Sequence, residues 1–126
     1  MTNCQITLLK LLSKGLFNRD IVLISIDENE LLKEAKSQAV VHLVYNALDK
    51  DNMSEEADKE WKKSVMTFLM NDIQITHHHA MLHDWMSSAG IPYVILKGCA
   101  SANYYSKPVE RAMGDVDFLV PPDKLD

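Results

Sequence analysis

At 126 residues the chain has the length of one ordinary domain. Its 47% hydrophobic and 25% charged residues give the balance of a globular protein, and no apolar run approaches the roughly 20 residues of a membrane-spanning helix. A formal charge of −5 argues against a broad nucleic-acid-binding face, which needs clustered Lys and Arg to neutralise phosphates.

Leu8, Leu9, Leu11, Leu12 and Leu16 recur at helical spacing and predict a helix from about Thr7 to Phe17, with Gly15 near its end. The opening Met1-Thr2-Asn3-Cys4 lacks the basic segment and cleavage site of a secretory signal, so a cytoplasmic protein with no membrane partner is expected. Cys4 and Cys99 have no metal-ligand spacing and read as reduced thiols. The apolar run Ile21 to Ile26 suits a strand, a helix start or a connector equally. Asp27 or Asn29 can cap a second helix, and Leu31, Leu32, Ala35, Ala39, Leu43 and Ala47 mark one buried stripe through about Leu48.

Residues Asp49 to Ser54 are polar and read as a loop, with Ser54 as the N-cap of a third helix. Glu55, Glu56 and Asp58 favour the positive end of its dipole. No Pro or Gly interrupts it before Gly90, a residue suited to a left-handed C-cap. Trp61, Val65, Phe68, Asp72, Ile75, His79, Leu82 and Met86 step by four and three, the seam of a helix packed along its length.

Beyond Gly90 the pattern changes. Pro92 to Lys97 suits a buried strand, Gly98 opens a small-residue helix through Tyr105, and Lys107-Pro108 breaks it. Asp115 to Val120 reads as a second strand, and Pro121-Pro122-Asp123 as the start of another helix. The expected class is α+β: a helical region, 1–89, leading into the first strands of a mixed sheet, 90–126.

Side chains two apart on a strand share a face, so Asp115 and Asp117 would present two carboxylates side by side. Like charges that close call for a cation, and Mg²⁺ takes one or two carboxylates together with substrate phosphate oxygens. Gly98, between a strand and a helix, would let a phosphate approach the backbone N–H groups. A phosphate cradle beside a metal-binding edge is what phosphoryl and nucleotidyl transfer require.

The segments Ile95-Leu96-Lys97-Gly98, Tyr105, and Arg111-Ala112-Met113-Gly114-Asp115-Val116-Asp117-Phe118-Leu119-Val120 resemble the polymerase-β-type nucleotidyltransferase superfamily. They are most similar to its poorly characterised bacterial group; the type IV antitoxin-like nucleotidyltransferases have a similar arrangement. About thirty residues carry the resemblance. It implies that Asp115 and Asp117 are catalytic and hold Mg²⁺. Gly98 would contact the triphosphate of a nucleoside triphosphate, with Lys97, Cys99 and Arg111 beside it. It implies transfer of a nucleoside monophosphate to an acceptor: a protein side chain, a small molecule or an RNA end. The superfamily's usual Gly-Ser is Gly98-Cys99 here. Its third carboxylate is expected on a later strand; Asp123 and Asp126 fall in the next helix, so the core is expected to be incomplete. A sheet cut short would expose an edge that invites a second copy of the chain, giving a homo-oligomer.

Plainer readings stand beside these. For the two aspartates the alternative is a solvated strand edge, for Gly98 a tight turn, for Lys97 a solvated strand end, and for Arg111 a salt bridge to Glu110 or an aspartate. His79 and His83, one turn apart, suit zinc, but without an HExxH motif His77, His78, His79 and His83 read as structural. Packing accounts for Tyr104 and Tyr105 as well as base stacking does. Two rival functions follow: a catalytically inactive interaction module with this fold, motivated by Cys99, and a histidine-based metal-binding helical domain.

Overall fold

The computed structural model describes residues 1–23 and 25–125. Asp126 and Ile24, and with Ile24 the middle of the Ile21–Ile26 run, lie outside the described residues. Five α-helices and two short strands are found among them: α1 (Asn3–Phe17), α2 (Glu28–Ser37), α3 (Val41–Ala47), α4 (Glu55–Ala89), β1 (Val94–Leu96), α5 (Gly98–Ala102) and β2 (Asp117–Leu119). The strands pair antiparallel, so the class is α+β; the mixed character expected of the sheet is not seen among the described residues. No helix among the described residues is long and apolar enough to cross a membrane. The compact units divide inside α4, between Phe68 and Leu69.

In the first unit α1 starts four residues earlier than its leucine stripe suggests. Thr2 Oγ1 accepts from the Gln5 N–H at 3.2 Å while the Thr2 N–H donates to Gln5 Oε1 at 3.1 Å, a reciprocal cap. Gly15 does not end it. A Cβ there would lie 3.3 Å from the Leu43 carbonyl oxygen, so glycine lets α1 lie close to α3. Asn18, at φ 50°, ends the helix instead.

The single helix expected from residue 27 or 29 to 48 is two helices. Asp27 caps α2, its carboxylate accepting from the N–H groups of Asn29 and Glu30. The break follows Ser37: the Val40 N–H reaches back to the Ala35 carbonyl and the Ala39 N–H to Lys36, with Ala39 at φ 56°. This is the Schellman arrangement, with alanine where glycine is usual. Ala39 is therefore exposed, while Leu31, Leu32, Ala35, Leu43 and Ala47 are buried as the stripe predicts. Leu8, Leu11, Leu31, Val44 and Trp61 are the centre of this unit's core.

Within α4, Ser54 Oγ caps the Ala57 N–H at 3.2 Å, and every predicted seam residue from Trp61 to Met86 is buried or half-buried. Gly90, at φ 66°, closes the helix with the Schellman pair Ile91 to Met86 and Gly90 to Ser87.

The second unit contains α4 from Leu69, the ladder and α5. Only three residue pairs are in register: Val94 with Leu119, Ile95 with Phe118, Leu96 with Asp117. Both strands are shorter than predicted. Pro92 has no N–H to give, and Lys97, at φ 53° and ψ −145°, turns the chain out of the ladder. The helix expected after Pro121 is a single 3₁₀ turn, Pro122–Lys124.

Candidate functional site

An antiparallel ladder sets the residues that leave one strand beside those that lead into the other. Because Leu96 pairs with Asp117, the Lys97-Gly98 turn and the Asp115–Asp117 segment meet at one end of the sheet. Lys97 Nζ lies 3.6 Å from Asp117 Oδ2, an exposed pair. Gly98, at φ 44°, packs against the other aspartate's backbone: a Cβ there would be 3.9 Å from the Asp115 carbonyl oxygen. Arg111 Nε donates to the Gly98 carbonyl at 3.3 Å, which draws the third basic candidate into the same cluster.

Asp117 is the first residue of β2, but Asp115 precedes the strand and is exposed. The two carboxylates therefore come from a strand and the loop before it, rather than from one strand face. Both bear hard oxygen donors, the chemistry that suits Mg²⁺, and the Lys97 ammonium beside Asp117 shows that a cation is already drawn to this edge. No group of three or more His, Cys, Asp or Glu among the described residues is arranged to hold a metal ion. Two aspartates plus substrate oxygens fit the usual way in which Mg²⁺ is bound.

The helix after Gly98 is five residues long rather than reaching Tyr105, so its dipole is small. The backbone hydrogen bonds of α5 begin with the Ala100 N–H on the Lys97 carbonyl at 2.9 Å, and the N–H groups of Gly98 and Cys99 come before that first bond. The Cys99 side chain is turned elsewhere: its thiol donates to Met113 Sδ at 3.7 Å. Burial, then the negative charge of Asp72, push this thiol above its ordinary pKa, so it stays neutral. Any phosphate contact by Cys99 is left to its backbone. Tyr104 is 92% exposed, which packing does not explain, while Tyr105 is half-buried.

From sequence, the face of α4 behind this turn reads as a packing seam with structural histidines and has no part in the nucleotide site. Asn71 Nδ2 donates to the Met113 carbonyl at 3.0 Å, fixing the approach to Gly114 and Asp115. His79 Nε2 would lie 3.7 Å from a Cβ on Gly98; it is buried and has no hydrogen-bond partner among the described residues. Asp72 Oδ1 is likewise buried without one. The signal was present, because Asp72 and His79 are the two polar residues on an otherwise apolar seam. His83 is engaged differently, its Nδ1 2.8 Å from the Tyr93 hydroxyl.

No curated protein and no solved structure matches the chain. One family model does, over residues 25–126, which takes in the whole cluster from Asn71 to Asp117. The chain thus belongs to the family described as uncharacterised nucleotidyltransferases.

Proposed function

We propose that this chain carries the metal- and phosphate-binding edge of an enzyme that transfers a nucleoside monophosphate from a nucleoside triphosphate to an acceptor. In that reaction an acceptor oxygen or nitrogen attacks the α-phosphorus. The bond to the bridging oxygen breaks, and pyrophosphate leaves with the electron pair. The observation that supports the reading best is the convergence of Lys97, Gly98, Arg111, Asp115 and Asp117 at one end of a three-residue ladder.

Asp115 and Asp117 would hold Mg²⁺, which when bound neutralises charge on the triphosphate. The remaining work falls to the chain's own groups. Lys97, whose ammonium lies 3.6 Å from Asp117, would offer it to a phosphate oxygen. The N–H groups of Gly98 and Cys99 donate to a second oxygen, and the absence of a side chain at Gly98 admits it. Arg111, anchored through Nε on the Gly98 carbonyl, holds the turn and offers its outer nitrogens to phosphate. The acceptor's class is open among a protein side chain, a small molecule and an RNA end.

The test is calorimetric titration of each nucleoside triphosphate, with and without Mg²⁺, into the protein that bears this chain and into its Asp117→Asn variant. We predict Mg²⁺-dependent binding, reduced at least about ten-fold by the substitution, the scale of one lost charge-assisted contact. Metal-independent binding, or none to any of the four nucleotides, would sink the reading. Failure to bind would favour a non-catalytic interaction module instead, a reading motivated by the Cys99 thiol being turned onto Met113.

A further inference from the structure

Asp115 lies before β2 and outside the ladder, whose last pair is Leu96 with Asp117. Residues 112–116 belong to no helix or strand. A carboxylate on such a segment samples many positions, whereas a bound Mg²⁺ needs its oxygen ligands held close to one arrangement. The ladder fixes this segment at its Asp117 end, and the other end needs a hold of its own.

Outside the ladder, the hydrogen bonds on residues 112–116 among the described residues both fall on Met113. Asn71 Nδ2 donates to its carbonyl oxygen at 3.0 Å, and the Cys99 thiol donates to its Sδ at 3.7 Å. They differ in strength. A thiol is a weak donor and a thioether a weak acceptor, while an amide N–H on a carbonyl at this length is an ordinary hydrogen bond. The Met113 carbonyl belongs to the planar peptide unit shared with Gly114, so holding that oxygen orients the backbone that continues to Asp115. Gly114 is where that orientation is most easily lost. It has no Cβ to restrict its backbone, and nothing lies within 4 Å of where one would be.

Asn71 is well placed to supply the hold. It stands on α4, whose Ile75 and Leu82 are buried in the same unit. Its own side chain is exposed, so without it the Met113 carbonyl would turn to water at little cost to folding. We infer that Asn71 is a positioning residue of the nucleotide edge: by holding the Met113 carbonyl it keeps Asp115 where the metal requires it. This role rests on Asp115 and Asp117 being the Mg²⁺ ligands, and Asn71 acts through the backbone, not on the nucleotide.

The test compares Asn71→Leu, similar in size but without a donor, with Asn71→Gln, which keeps the amide. NMR relaxation of the metal-free protein that bears this chain reads the order of the Gly114 and Asp115 amides. The parent is expected near the rigid-backbone value of about 0.85 and Asn71→Leu below about 0.6, with Asn71→Gln between them. The thermal midpoint of Asn71→Leu should stay within about 3 °C of the parent's. In calorimetry Asn71→Leu should weaken Mg²⁺-dependent nucleotide binding about ten-fold and leave metal-free binding unchanged. A merely structural residue would lower both affinities together with the midpoint. Gln74→Leu, an exposed position further along α4, should change none of these readings. A Gly114–Asp115 segment as ordered in Asn71→Leu as in the parent would overturn the proposal. So would a disordered segment with undiminished Mg²⁺-dependent affinity. A parent that binds no nucleotide would sink the reading of the site instead, and the order of the segment would still decide whether Asn71 holds it.

Discussion

Lys97 holds a backbone conformation, φ 53° and ψ −145°, that residues with a Cβ rarely adopt. Such a conformation costs on the order of 1–3 kcal/mol and persists only where its surroundings enforce it. Here the Arg111–Gly98 hydrogen bond and the ladder hold it, and the ammonium is delivered to Asp117. We predict that Lys97→Gly raises the thermal midpoint, because the lost ion pair is exposed and contributes little. The same substitution should weaken binding of Mg²⁺-nucleotide, so stability and affinity would move in opposite directions. A separate polar cluster in the first unit sets a pH response. The Lys62 ammonium, 2.6 Å from Asp58, and then the Tyr45 hydroxyl at 2.7 Å hold that carboxyl below the usual carboxylate range. A lowered pKa in the folded state means the contribution is present above the unfolded value of about 3.9 and is lost as pH falls through the folded one. Tyr45→Phe removes one of the two donors. In an NMR titration the Asp58 carboxyl should then titrate closer to its ordinary value, and an unmoved midpoint would show that Lys62 alone sets it.

At the level of elements, two helices end in the same way with different residues. Gly90 and Ala39 both occupy the left-handed position of a Schellman motif, at φ 66° and 56°. An alanine there pays about 1 kcal/mol that a glycine does not. Ala39→Gly is therefore expected to stabilise by up to about 1 kcal/mol, and Gly90→Ala to destabilise by a similar amount; denaturant melts would read both. The Gly90 case is purely a backbone effect, since a Cβ there meets nothing within 4 Å. The contrast also explains what the sequence could and could not tell. Gly90 announces a helix end by its residue type, and the α4 seam by its period. Ala39 is a strong helix former in phase with the stripe on either side, so nothing in the sequence marks the break between α2 and α3. The ladder was legible in place but not in extent, because strand length depends on which residues find partners. Lys97, Gly98, Arg111, Asp115 and Asp117 could be picked out because charged and glycine residues stand out between apolar runs. Asn71 and His79 act from forty and twenty residues away in sequence, and that closeness exists only in the fold.

Across the whole molecule, one helix serves two compact units. The 35 residues of α4 give Trp61 to the first core and Ile75 and Leu82 to the second unit. The family match, residues 25–126, spans both, so family membership does not belong to the ladder alone. Each unit also contains one of the two cysteines, Cys4 buried in the first and Cys99 half-buried in the second. Burial pushes both thiols above their ordinary pKa, helped at Cys4 by Glu30 and Glu34 and at Cys99 by Asp72. Since only the thiolate reacts with an alkylating reagent, each cysteine is shielded by its own surroundings and exposed when those surroundings open. We predict that iodoacetamide labels both more slowly in the native protein than in denaturant. Mass spectrometry of the two tryptic peptides would then time the opening of each unit separately. Matching rates would mean that the shared helix makes the units open as one; a faster Cys99 would mean that the proposed nucleotide edge loosens while the helical core stays closed. The chain thus carries a natural clock in each half, set by nothing more than where its two sulfur atoms are buried.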